Sequence, residues 1–178
     1  MLQKTETAPR VLMVCTGNIC RSAMAEVMAK KMASDAAVEL AVDSCGISNE
    51  EYGNPIDHRA QQVLRESGYD IPRHRARQID ESDLRGSDLI LAMTSGHYRA
   101  IERLIARMGV DQFHGKLRML RDFEPARADE RADNWNQQYS AARGDRDLED
   151  PWYGDMDDFW TTYNTLDRCL PQVIDALS

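Results

Sequence analysis

Residues 14–22 read Val-Cys-Thr-Gly-Asn-Ile-Cys-Arg-Ser. Cys15 is followed, after five intervening residues, by Arg21 and then Ser22. With that spacing a curled loop brings a guanidinium opposite a thiol. A free thiol ionises near pH 8.5, but at a helix N-terminus the value falls to roughly 3.5–7.5, which makes the sulfur a nucleophile at neutral pH. The planar fork of Arg21 suits two phosphate oxygens. Ser22 can donate a hydrogen bond to the sulfur, steadying it first as nucleophile and then as leaving group. The N–H groups of Thr16, Gly17, Asn18, Ile19, Cys20, Arg21 and Ser22 converge on one hollow if this loop opens a helix, and the helix dipole adds to their pull on an anion. Gly17 relieves steric limits and Asn18 tolerates a left-handed backbone. Cys20 either packs or forms a reversible disulfide with Cys15 that protects it from over-oxidation.

An ester with a phenolate leaving group needs a proton donor, since phenol ionises only near pH 10. A positioned carboxylic acid contributes ~10²–10⁴-fold. The candidate is Asp150 in Asp150-Pro151-Trp152-Tyr153-Gly154. Pro151 stiffens the chain and favours an extended Asp150. Trp152 and Tyr153 can wall a slot for a flat aromatic group.

These residues need elements to hold them. Val11–Val14 is a short apolar run bounded by turn residues and predicts a buried strand. Residues 22–33 are rich in helix formers, Val38–Val42 alternates as a second strand, and Asp57–Glu66 reads as a helix stopped by Gly68. Leu89–Leu91 is a third apolar run, followed by a helix from about His97 to Met108, and Leu117–Leu120 is a fourth strand. Residues 156–177 carry apolar side chains every three or four positions, with Pro171 as a potential kink. Strands alternating with helices imply a parallel sheet covered by helices, an α/β domain with ligands at the carboxyl ends of its strands. The polar stretch 122–150, with a helical fragment near 129–142, is long for a connection inside one domain, which points to function or flexibility.

A length of 178 residues fits one domain. The net charge of −8 lies entirely in residues 78–178, because residues 1–77 hold ten basic and ten acidic side chains. Such a chain lacks the clustered positive charge that nucleic acid requires and is repelled by anionic membranes. It holds no apolar stretch of about 20 residues and so no membrane insertion is expected. Its N-terminus has no apolar signal core. The four cysteines do not have the spacing of a secreted disulfide framework. The expected location is the cytoplasm, with reduced thiols.

Together, CTGNICRS followed by AMAE, and DPWYG near the end, resemble the low-molecular-weight protein tyrosine phosphatases. Asp43-Ser44, Pro55-x-Asp57-x-Arg59-Ala60 and His74-Arg75-Ala76-Arg77 fit the same pattern. The resemblance begins at residue 10 and leaves 1–9 as a flexible tail. It implies a three-layer α/β domain over 10–178: a four-stranded parallel sheet flanked by helices, the phosphate loop between the first strand and first helix, no metal and no cofactor. It implies hydrolysis of protein phosphotyrosine through a phosphocysteine on Cys15, with Arg21 binding phosphate and Asp150 acting as acid and then base. Asn18, Ser44 and His74 are implied to hold the loop; from the residues alone His74 reads as a surface side chain. The implied partners are tyrosine-phosphorylated proteins, autophosphorylated tyrosine kinases among them, with phosphate or other oxyanions in the site.

Three positions depart from the family's pattern. Ala23 replaces the usual proline, Met93-Thr94-Ser95 lacks a frequent acidic residue, and Glu50-Glu51 stands where many members carry an aromatic specificity residue. The expected substrate slot is therefore Trp152, Tyr153, Glu50 and Tyr52. Three rivals are weighed against this. A thiol-coupled arsenate reductase needs further cysteines near residues 80–90, and none is there. A phosphoarginine phosphatase carries threonine where this chain has Ile19. A catalytically dead phosphoprotein binder would have lost Cys15 or Asp150.

Overall fold

The computed structural model describes residues 7–109, 115–128 and 144–178. The start of the expected tail (1–6) and the expected helical fragment near 129–142 lie outside the described residues. Four strands, β1 (Arg10–Cys15), β2 (Ala41–Gly46), β3 (Leu89–Ala92) and β4 (Leu117–Met119), form a parallel sheet in the order β2-β1-β3-β4. Among the described residues five α-helices accompany them: α1 (Arg21–Asp35), α2 (His58–Glu66), α3 (Glu81–Gly86), α4 (Ser95–Arg107) and α5 (Met156–Leu177).

The apolar run of β1 explains the layering. Successive side chains of a strand point to opposite faces. Val11 and Met13 join α1, α2 and α5 on one face, where Met24, Met28, Leu64, Leu166 and Leu170 are buried with them. Leu12 and Val14 join Leu84 of α3 and Tyr98 and Ile101 of α4 on the other. A strand apolar on both sides can only be central, and its helices must cover both faces.

Most elements lie where the sequence predicts them, with three differences. The second strand is Ala41–Gly46 rather than Val38–Val42. Ala37 takes a left-handed turn (φ 54°) and the Val38 amide still bonds back to Ala33 of α1, so the chain is leaving the helix there. As an edge strand, β2 then continues through the polar Asp43-Ser44. The last helix has its expected span, Met156–Leu177, and runs on through Pro171. The fourth strand gives way at Leu120 to a single tight turn. The short α3, closed by an Asp80/Asp83 capping box, has no apolar period to announce it. Among the described residues no helix is long and apolar enough to cross a membrane.

From β1 the chain steps to β2 on one side and returns to β3 on the other. The carboxyl end of β1 is thus a topological switch point, where open α/β sheets bind ligands. The residues after it are Thr16–Cys20, followed directly by α1.

Phe159, fully buried at the start of α5, anchors that helix beside this end of the sheet. Phe159→Ala is expected to lower stability in urea denaturation by about 3–5 kcal/mol; a loss below ~1 kcal/mol would remove the ring from the core.

Candidate active site

The loop between β1 and α1 is held from behind by Asn18, which is fully buried with φ at 62°. Its Nδ2 donates to Ser22 Oγ (3.0 Å) and to Ser44 Oγ (2.9 Å). Its Oδ1 accepts from the Arg77 amide (3.1 Å), and its backbone carbonyl accepts from His74 Nε2 (2.7 Å). A carbonyl can only accept, so Nε2 is the protonated nitrogen of His74. Ser44 in turn donates to the Glu26 carboxylate. Because Ser22 Oγ receives Asn18's N–H, its own O–H is free for Cys15 Sγ, 2.9 Å away. The expected serine-to-sulfur hydrogen bond is thus oriented by Asn18.

Two further features shape the loop from β2. The Ile47 and Ser48 amides donate to the carbonyls of Cys15 (2.9 Å) and Thr16 (3.0 Å). Gly46 lies so close that a Cβ there would sit 2.5 Å from the Thr16 carbonyl oxygen. Sequence reasoning missed Gly46, whose only signal is a glycine ending a strand.

Arg21 is buried at the start of α1. Its Nη1 donates to the Leu148 carbonyl (2.9 Å), and its Nη2 lies 3.2 Å from Asp150 Oδ2. Its Nε is buried with no hydrogen-bond partner, an uncommitted donor of a kind folded proteins rarely leave. Asp150 caps the turn Pro151–Tyr153, accepting from the Trp152 amide (3.1 Å). That turn is fastened by Arg59 Nη1, which donates to the carbonyls of Trp152 (3.2 Å) and Gly154 (3.3 Å). Arg59 itself lies 4.6 Å above the Phe159 ring and forks onto Asp57. Burial opposes the Asp57 charge, but the Arg59 hydrogen bonds and charge outweigh it and hold the carboxyl below its ordinary value. On the other side, the Leu148 amide donates to the Met93 carbonyl (2.8 Å), and Asp147 accepts from the Ser95 amide (2.6 Å).

Cys15, Arg21 and Asp150 therefore line one pocket, together with Thr16, Gly17, Ile19 and Cys20 of the loop. Glu50 and Glu51 form one rim, and Trp152 and Tyr153, their rings edge to face at 5.0 Å, form the other. Tyr52 does not join them. It is 74% exposed and lines a separate hollow with Asn49, Arg77, Gln78 and Asp80. None of the four cysteines is joined in a disulfide. Burial, then the Asp57 and Cys15 charges, push the Cys20 thiol far above its ordinary value.

The family model for low molecular weight phosphotyrosine protein phosphatases matches residues 10–178. The chain belongs to this family. It is accordingly a protein-tyrosine-phosphatase by class. Among its relatives is the low molecular weight protein-tyrosine-phosphatase of Streptomyces coelicolor, 38% identical over 92% of this chain and 86% of that one. The Entamoeba histolytica protein tyrosine phosphatase, solved with Hepes in its active site, superposes with a TM-score of 0.77 at 26% identity, covering 96% of this chain and 97% of that one. The YwlE arginine phosphatase of Bacillus subtilis superposes at 0.74 with 25% identity, over 94% and 95% of the two chains.

In this phosphatase the departures from the family's pattern find their surroundings. Ala23 is fully packed in α1. Where the acidic residue after β3 is missing, Thr94 caps α4 and the Asp147 carboxylate arrives from the 144–150 segment. Sequence reading also missed His97, whose Nε2 lies 2.8 Å from Thr16 Oγ1, because 81 residues separate the pair.

A methyl group at Gly46 collides with backbone, whereas at Gly17 it meets only the flexible Glu51 side chain, at 2.9 Å. Gly46→Ala is therefore expected to lower turnover of p-nitrophenyl phosphate by at least about tenfold, the equivalent of ~1.4 kcal/mol, and Gly17→Ala by clearly less. Equal rates in the two variants would mean that β2 does not set the loop.

Proposed function

We propose that this chain hydrolyses protein phosphotyrosine through a phosphocysteine intermediate on Cys15. The observation that carries this reading is the Arg21–Asp150 pair at 3.2 Å, in a pocket also lined by the Cys15 sulfur. Nucleophile, anion binder and proton donor thereby share one cavity.

The phosphate dianion is held by the amides of the 16–22 loop and by the Arg21 fork, to which the uncommitted Nε belongs. Cys15 attacks phosphorus as the thiolate while Asp150, as the acid, protonates the departing phenolate oxygen. The S–P bond forms as the O–P bond breaks. Asp150, now a carboxylate, takes a proton from water, whose oxygen attacks phosphorus and releases inorganic phosphate and the thiolate. Ser22, fed by Asn18, donates to the sulfur when it departs. The Leu148 carbonyl fixes one end of the guanidinium so that its other donors meet the anion.

Ile19, Trp152 and Tyr153 give the pocket apolar walls for a phenyl ring. The partners are then tyrosine-phosphorylated proteins, autophosphorylated kinases among them. Four cysteines without a disulfide support a reducing compartment such as the cytoplasm. One observation favours a second reading: the acidic rim Glu50-Glu51 suits a guanidinium, as a phosphoarginine substrate would present. The apolar Ile19 favours the aromatic ring.

A panel of phosphotyrosine, phosphoarginine and phosphoserine peptides separates these readings; turnover confined to phosphotyrosine is expected, and preferential turnover of phosphoarginine overturns it. Cys15→Ser is expected to abolish turnover. Asp150→Ala is expected to slow phenyl phosphate hydrolysis ~10²–10⁴-fold, and much less for esters with strongly acidic leaving groups; equal slowing across leaving groups removes Asp150 from the acid role. Arg21→Lys is expected to lose most activity, because a point charge does not replace a fork.

A further inference from the structure

His97 reaches the phosphate loop from the opposite side of the switch point. It sits in the first turn of α4, its amide bonded to the capping Thr94 hydroxyl (3.2 Å). The residue is only 7% exposed. Its Nε2 lies 2.8 Å from Thr16 Oγ1, while Nδ1 is buried without a hydrogen-bond partner. Thr16 lines the pocket, and its Oγ1 also faces Arg21 Nη2 at 3.4 Å.

The hydrogen bonding can be worked out atom by atom. A neutral imidazole has one N–H and one bare nitrogen. A buried N–H without a partner is the rarer and costlier defect, compared with an unfilled acceptor. The proton therefore belongs on Nε2, where it meets Thr16 Oγ1, and Nδ1 is the bare nitrogen. Burial, followed by the nearby Arg21 charge, pushes the imidazole down to about 3, so one proton is all it carries at neutral pH. The Thr16 oxygen then has donors on both lone-pair sides, His97 Nε2–H and, more loosely, Arg21 Nη2–H. A hydroxyl so occupied has its own O–H left over.

We propose that His97 is a positioning residue of the phosphate cradle, its Nε2–H holding the Thr16 oxygen so that the Thr16 O–H donates to a bound phosphate oxygen. The cradle thus gains an oriented hydroxyl beside its amides and Arg21, supplied through a side chain from β3's end of the sheet. The inference rests on the reading of the 16–22 loop as a phosphate site, and it assigns His97 no contact with the substrate.

The test uses inorganic phosphate as the probe, titrated calorimetrically into the intact protein. Thr16→Val and His97→Phe are each expected to weaken phosphate binding about tenfold, the scale of one hydrogen bond to a charged group. The double variant is expected to be no weaker than either single one, because both act through the one Thr16 hydroxyl. His97→Gln, which restores an N–H, is expected to recover most of the affinity. Parental affinity in His97→Phe, or a double variant whose loss is the product of the two single losses, overturns the proposal. Should a variant fail to fold, two-bond ¹⁵N–¹H correlations on the parent protein decide it: a proton on Nε2 is expected, and a proton on Nδ1 overturns it. Failure of the phosphatase reading is seen separately, as parent protein that binds phosphate but turns over neither p-nitrophenyl phosphate nor any phosphopeptide.

Discussion

A loop that presents its N–H groups to an anion cannot also use them to hold itself together. Its shape must be fixed through its acceptors and side chains, from behind. Asn18 does this in one residue. Its left-handed backbone turns the chain, its carbonyl is taken by His74, its Oδ1 by the Arg77 amide, and its Nδ2 by two serines. No donor directed at the pocket is consumed. The same residue orients the Ser22 hydroxyl toward Cys15, so the geometry of the loop and the surroundings of its sulfur share one support.

That support has its own foundation. The Arg77 amide can meet Asn18 only if Arg77 is fixed, and its guanidinium is held by Asp83 of α3 (2.7 and 2.8 Å) and Asp43 of β2 (3.1 Å). These hydrogen bonds outweigh burial and raise the Arg77 pKa above its ordinary value, keeping it charged at every working pH. The Gly46 amide donates to the Arg77 carbonyl at 2.8 Å, which sews the 74–78 segment to the end of β2. The polar residues that make β2 a poor-looking strand are therefore those that carry the loop. If Arg21 binds the anion as proposed, this acidic chain obtains positive potential locally, from Arg21 and the start of α1, and needs none from its net charge.

This division explains what the sequence could and could not reveal. The strand β1 and the loop after it were legible because a central parallel strand is a plain apolar run, and because Cys15, Arg21 and Ser22 are close in the chain. Asp150 was legible from its proline-stiffened turn. The start of β2 was misplaced since alternation at Val38–Val42 looked more like a strand than Asp43-Ser44 did. Tyr52 was expected in the slot by its nearness to Glu50, but the chain turns there, with the Tyr52 amide bonded to the Asn49 carbonyl, and the ring lies over another hollow. Gly46 and His97 act through contacts across 30 and 81 residues, for which no local pattern exists.

The side chains proposed to meet a substrate stand at the open mouth of the pocket. Trp152 and Tyr153 are 46% and 85% exposed, and Glu50 and Glu51 sit on open turns. Beneath them Cys15, Asn18, Arg21 and Ser22 are buried, and the loop is cross-linked from β2, α2, the 74–78 segment and α4. Exposed side chains on the rim can change at little cost to stability, whereas a change in the cradle disturbs several hydrogen bonds at once. The unusual Glu50-Glu51 rim lies in the permissive part, and the cradle residues around Asn18 are all present. On the proposed reading, substrate preference and phosphoryl chemistry are therefore separable in this fold: the first rests on side chains of two turns, the second on backbone held in place from the far side.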